Sequence, residues 1–86
     1  MLIKILANEF LLSASSNTTV NNAVVVRLAH TGSQEHTITI GDGAGSNIGK
    51  FTMLNNSELI LEKERTDTLQ IDAGSDVLAV SIAYKN

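Results

Sequence analysis

The chain has 86 residues, no Cys, no Pro and no Trp, with a net charge of −3 at neutral pH. That length allows one domain, 1–86, and a domain so small buries only about 60% of the surface of its unfolded chain. Disulfides and thiolate metal sites are excluded, an acidic chain with one Tyr and two Phe lacks the basic and stacking groups that nucleic acid demands, and oligomerisation or docking is left as the staple.

The charged fraction is 17%, below the ~25% of ordinary globular proteins, and Asn, Ser and Thr fill the polar surface instead. Such a surface suits packing against other protein. No apolar run approaches the ~20 residues of a membrane span. The opening Met1-Leu2-Ile3-Lys4-Ile5-Leu6 reaches Asn8 and Glu9 too early for the core of a secretion signal, so the expectation is a protein made in the cytoplasm and used without secretion, off the membrane.

In chain order, the first predicted strand is 2–6, with Leu2, Ile3, Ile5 and Leu6 apolar on both faces. Such a strand is either central in a core or covered by a partner. Strands at 9–14 and 18–20 follow, around the turn residues Ser15-Ser16-Asn17 and Asn21-Asn22. The strand 23–30 sets Val24, Val26 and Leu28 on one face and Val25, Arg27 and Ala29 on the other. Thr31-Gly32-Ser33-Gln34 then leads to the alternating run 36–40, His36-Thr37-Ile38-Thr39-Ile40. Strands at 48–54, 58–63, 67–72 and 77–84 complete the set, with corners at Asn55-Asn56, Arg65-Thr66-Asp67 and Gly74-Ser75-Asp76. The segment 57–66 also has a helical reading, capped by Ser57, but Leu59-Ile60-Leu61 is a compact apolar run and the length is marginal for a helix. The fold class is therefore all-β: a small antiparallel β-sandwich or jelly-roll-like barrel of about seven to nine short strands.

The stretch Gly41-Asp42-Gly43-Ala44-Gly45-Ser46-Asn47-Ile48-Gly49-Lys50 is glycine-rich without being a phosphate loop. Counting back from Gly49-Lys50 puts Ala44 where the motif needs Gly, and Phe51 follows where a magnesium-binding hydroxyl belongs. It reads as a flexible hairpin loop, whose functional version would be a loop that contacts a neighbouring subunit. Calcium needs clustered oxygens, and Asp42 stands alone while Asp72 and Asp76 flank a Gly74 turn. No Ser lies in a nucleophile elbow, and His30 and His36 read as hairpin-edge residues rather than bases. The expectation is a non-enzyme with no cofactor and no metal.

Leu2-Ile3-Lys4-Ile5-Leu6-Ala7-Asn8, the corner Glu62-Lys63-Glu64-Arg65-Thr66-Asp67-Thr68-Leu69 and the final Ala79-Val80-Ser81-Ile82-Ala83-Tyr84 together resemble small virion-associated proteins of tailed bacteriophages, particularly those of marine cyanobacteria. The resemblance spans most of the chain and rests on this pattern. It implies a structural role in the virion: capsid decoration or cement, with the major capsid protein or other virion proteins as partners and a homo-oligomer as the working state. A tail, baseplate or fibre part, or a glycan-binding module, are the alternatives. Candidate interface residues are Leu2, Ile3 and Ile5 on the first strand, Asp42, Ser46 and Asn47 in the loop, and Tyr84 on the last strand.

Overall fold

The computed structural model describes residues 2–74 and 76–85, with the side chains of Leu2, Tyr84 and Lys85 outside that description. Eight strands form: β1 (Leu2–Ile5), β2 (Phe10–Leu11), β3 (Val25–His30), β4 (His36–Gly41), β5 (Asn47–Met53), β6 (Glu58–Glu62), β7 (Thr68–Ile71) and β8 (Val77–Lys85). They make two antiparallel sheets. Sheet A runs β1-β8-β3-β6 with β2 also on β8, and sheet B runs β5-β4-β7. The all-β sandwich expected from the alternating sequence is what the chain builds.

The core follows from the alternation. Val26 and Leu28 on β3 stand opposite Ser81 and Ala79 on β8, and this inner face meets Ile38 of β4 with Leu69 and Ile71 of β7 in one buried cluster. β-branched residues at these positions favour the extended backbone and pack against the facing sheet. The segment 57–66 is strand for most of its apolar part, β6, as the Leu59-Ile60-Leu61 run predicts.

Two predicted strands shrink. The run 9–14 keeps only Phe10–Leu11: Leu12 still donates its N–H to the Val77 carbonyl at 2.9 Å with its side chain in the core, and beyond it the chain turns from β8 towards β7, where Ser13 accepts from Ile71 N–H. The run 18–20 becomes a single bridge, Thr18 to Leu69. After it Val20, Asn21 and Asn22 all take positive φ, near 55°, closing a left-handed turn in which Ala23 N–H is shared between the Thr19 and Val20 carbonyls. A β-branched residue rarely adopts that region, so the complete burial of Val20 offsets a local strain. Lys63, also buried, donates to the Ala23 carbonyl at 2.7 Å and secures the far end of the turn. Desolvation holds the Lys63 ammonium below its ordinary pKa, against the attraction of Asp67.

Two corners also differ. The segment between β3 and β4 is not a hairpin: β3 lies in sheet A and β4 in sheet B, so Thr31–Glu35 carries the chain between layers. The first strand is not a core strand. Ile3, Ile5 and Leu6 remain 43%, 56% and 54% exposed at the edge of sheet A. β1 and β2 line one edge of β8 in succession, and five steps from Ile5 to Phe10 match only three on β8, so two extra residues bulge between them.

Leu28→Ala is expected to lower stability by about 2–5 kcal/mol in chemical denaturation, as deletion from a fully packed core does. Lys50→Ala, on an exposed strand segment, is expected to stay within about 0.5 kcal/mol.

Candidate functional site

Two features stand out, one at a corner of the sandwich and one on the outer face of sheet A. At the corner the chain crosses between the sheets three times, through 31–35, 54–57 and 72–76, and the first and last of these meet at a pair of histidines. His30 ends β3 and His36 begins β4, both buried, and their rings stack with centroids 5.2 Å apart. His36 Nδ1 lies 2.9 Å from an Asp72 oxygen and Nε2 lies 3.2 Å from an Asp76 oxygen. Gly74 lets the two aspartates converge: its φ is +77°, and a Cβ there would crowd the His36 ring at 3.3 Å. Ser75, part of the predicted corner, lies outside the described residues.

With a carboxylate at each ring nitrogen, the form of His36 that satisfies both contacts is the doubly protonated imidazolium. The hydrogen bond to Asp76 is the main reason its pKa is raised, assisted by Asp72 and opposed by burial. For Asp72, burial favours the neutral acid, but backbone N–H donation from Thr37 and Ala73 and the bond to His36 together hold its pKa below the usual carboxylate value. Both nitrogens of His36 are thus engaged. His30 accepts from Gly32 N–H through Nδ1 at 3.0 Å, which places its proton on Nε2, a buried atom with no partner among the described residues. Neither ring presents an accessible basic nitrogen, so the arrangement fits a clasp between two inter-sheet crossings and lacks the open geometry of a general base. Among the described residues no group of three or more His, Cys, Asp or Glu is placed to hold a metal ion.

The second feature is the reverse side of sheet A. Val80 and Ile82 alternate with the core-facing Ala79 and Ser81, so they point away from the core, yet they are only 3% and 2% exposed. In register, Arg27 lies beside Val80, and Val25 and Ile5 lie beside Ile82. The Arg27 guanidinium reaches Glu58 on β6 at 2.6 Å and Glu9, before β2, at 4.0 Å. That bridge runs from the β6 edge across β3 and β8 towards β2, above Val80. Its charges are partly solvated and add at most about 1 kcal/mol. Exposed Ile3, Ile5 and Leu11 continue the apolar surface along the β1–β2 edge. The outer face of a two-layer sandwich is ordinarily polar, which makes this one unusual.

The residues expected at an interface divide between the sheets. Ile3 and Ile5 belong to the outer face of sheet A, opposite the backbones of Tyr84 and Ile82. The side chains of Leu2 and Tyr84 lie outside the described residues. Asp42, Ser46 and Asn47 form the tip of the β4–β5 hairpin on sheet B. Asp42 spends its carboxylate within that loop, accepting from Ala44 N–H at 2.7 Å and Ser46 N–H at 3.2 Å. Gly43, with φ +82°, lies so near the Thr66 carbonyl that a Cβ would collide with it. The loop is therefore a shaped tip. Beside it lies a depression of about 70 Å³ lined by polar residues including Asn17, Thr68 and Gln70, well below the ~300 Å³ of a small-molecule pocket.

Sequence reading missed the His36 clasp and the Arg27 bridge. The available signals were paired His around one turn and paired Asp around another, but 36 and 40 residues separate the partners in the chain. No family model, curated protein or solved structure matches the chain. Among the described residues no helix is long and apolar enough to cross a membrane.

The clasp predicts a pH window of stability. The raised His36 pKa contributes stability that is complete below the unfolded value of 6.5 and is lost as pH rises through the folded value. The lowered Asp72 pKa contributes stability that is complete above the unfolded value of 3.8 and is lost as pH falls through the folded value. The denaturation midpoint of the wild type is expected to decline as pH rises above 6.5, and His36→Gln is expected to abolish that decline.

Proposed function

We propose that the protein is a structural virion component, a capsid decoration or cement protein that binds an assembled phage shell through the outer face of sheet A. The observation that carries this reading is the apolar outer face itself, with Val80 beneath the Arg27–Glu58–Glu9 bridge, Ile82 buried beside Val25 and Ile5, and Ile3, Ile5 and Leu11 exposed along the edge. An 86-residue chain without Cys gains from covering such a surface. The resemblance of its first strand, its Glu62–Leu69 corner and its last strand to small phage virion proteins directs the choice of partner. Bound at symmetric positions, each copy bridges neighbouring shell subunits, and a ligand of the assembled state favours that state. Many copies turn a modest single-site affinity into lasting attachment. A glycan-binding role is less favoured, because neither the depression beside the hairpin tip nor the larger one lined by Leu6, Val25 and Ile82 is lined by an aromatic ring on which a sugar could stack.

Co-sedimentation with purified phage shells lacking this protein tests the reading. Saturable binding at a fixed ratio to the major shell protein is expected, and Ile5→Glu, at a position 56% exposed in the free protein, is expected to weaken it at least tenfold while leaving the fold intact. Absence of binding to shells, with binding to tails or fibres, would transfer the role to that part of the virion.

A further inference from the structure

Apart from the two-residue β2, which shares the β8 edge with β1, four strands have an outer edge: β1 and β6 in sheet A, β5 and β7 in sheet B. The edge of β7 is occupied, since Thr18 and Leu69 exchange both backbone hydrogen bonds and Ile71 N–H reaches Ser13. β6 carries Glu58 and Glu62, charges that discourage edge pairing, and β1 is four residues long, holds Lys4 and runs into a bulge. β5 is the longest of the four at seven residues, bears Lys50 as its only charge, and has no strand beyond it among the described residues.

The backbone of β5 is set for pairing. Asp72 N–H donates to the Thr37 carbonyl, so Thr37 turns its backbone groups towards β7, and by the antiparallel alternation Ile38 turns its groups towards β5. Ile38 lies opposite Phe51, which makes Phe51 the residue bonded to β4 and leaves the N–H and C=O groups of Lys50 and Thr52 pointing off the open edge.

The side chains are self-complementary about Phe51. Ile48 and Leu54, each 60% exposed, are the two most exposed large apolar residues of the described chain, and each is three residues from Phe51. We infer that β5 pairs antiparallel with β5 of a second copy about a two-fold axis at Phe51, joining the two B sheets into one of six strands. In that register Lys50 faces Thr52 of the second copy and exchanges both backbone bonds with it, and the symmetric pair does the same. Ile48 meets Leu54 of the second copy twice, and no like charges oppose one another. An isologous contact of this kind closes on itself and leaves no free β5 edge to propagate. It lies on sheet B, apart from the docking face on sheet A, and does not depend on the identity of the shell.

Light scattering across roughly 5 to 500 µM, the range suited to an interface of edge size, tests the pairing. The wild-type mass is expected to rise from 9.2 kDa towards double that value. Ile48→Lys sets an ammonium against Leu54 of the second copy, and Thr52→Pro removes an outward N–H that the chain's own ladder does not use. Both are expected to stay at the monomer mass, with β circular dichroism retained. Should Thr52→Pro lose its fold, Ile48→Lys decides alone. A wild type that is monomeric throughout, or an Ile48→Lys variant that dimerises like the wild type, overturns the inference. Neither result bears on shell binding, which co-sedimentation measures separately.

Discussion

The meeting of two apolar sheet faces, Val26 and Leu28 from one layer against Ile38, Leu69 and Ile71 from the other, is the contact on which everything else rests. A chain with no Cys cannot brace a small core covalently. Each device in the molecule therefore serves to bring the layers together or to seal their margins. Segment 12–24 closes one margin: Leu12, Val20 and Ala23 are buried there, Thr18 pairs with β7, and the left-handed turn reverses the chain so that β3 enters the other sheet. The strain at Val20 is tolerated because the burial of its side chain offsets it.

The His36 clasp serves the same end at the corner. It joins two of the segments that pass between layers, and it does so with groups whose charges depend on pH. Its stabilisation is electrostatic and directional, unlike that of the core, and so has both an acid and an alkaline limit. His30, stacked against His36, adds a buried Nε2 with no partner among the described residues. A clasp of this kind fixes the relative register of crossings that apolar packing alone would hold only loosely.

The margins left uncovered carry the functional argument. The outer face of sheet A buries Val80 under a three-residue ion bridge and Ile82 beside it but leaves Ile3, Ile5 and Leu11 open, and the β5 edge leaves Ile48 and Leu54 open. These surfaces lie on different sheets, so the proposed shell docking and the proposed self-pairing would not compete for one surface.

Alternation in the sequence by itself determined the all-β class, the positions of β3 to β8 to within a few residues and the division of β3 into two faces, because a half-buried strand must repeat every two residues. The sequence also marked 2–6, 41–49 and the last strand as candidate contacts, without showing that the first strand is an edge. Only the tertiary structure decided which strands share a sheet, that the 31–35 turn crosses between layers, and that His36 meets Asp72 and Asp76. The same holds for the outward direction of Val80 and Ile82 and for the free edge of β5. Periodicity reports which residues lie on the same side of one strand. Which side faces the core, and which edge remains unpaired, depend on partners tens of residues away, and local pattern carries no record of them.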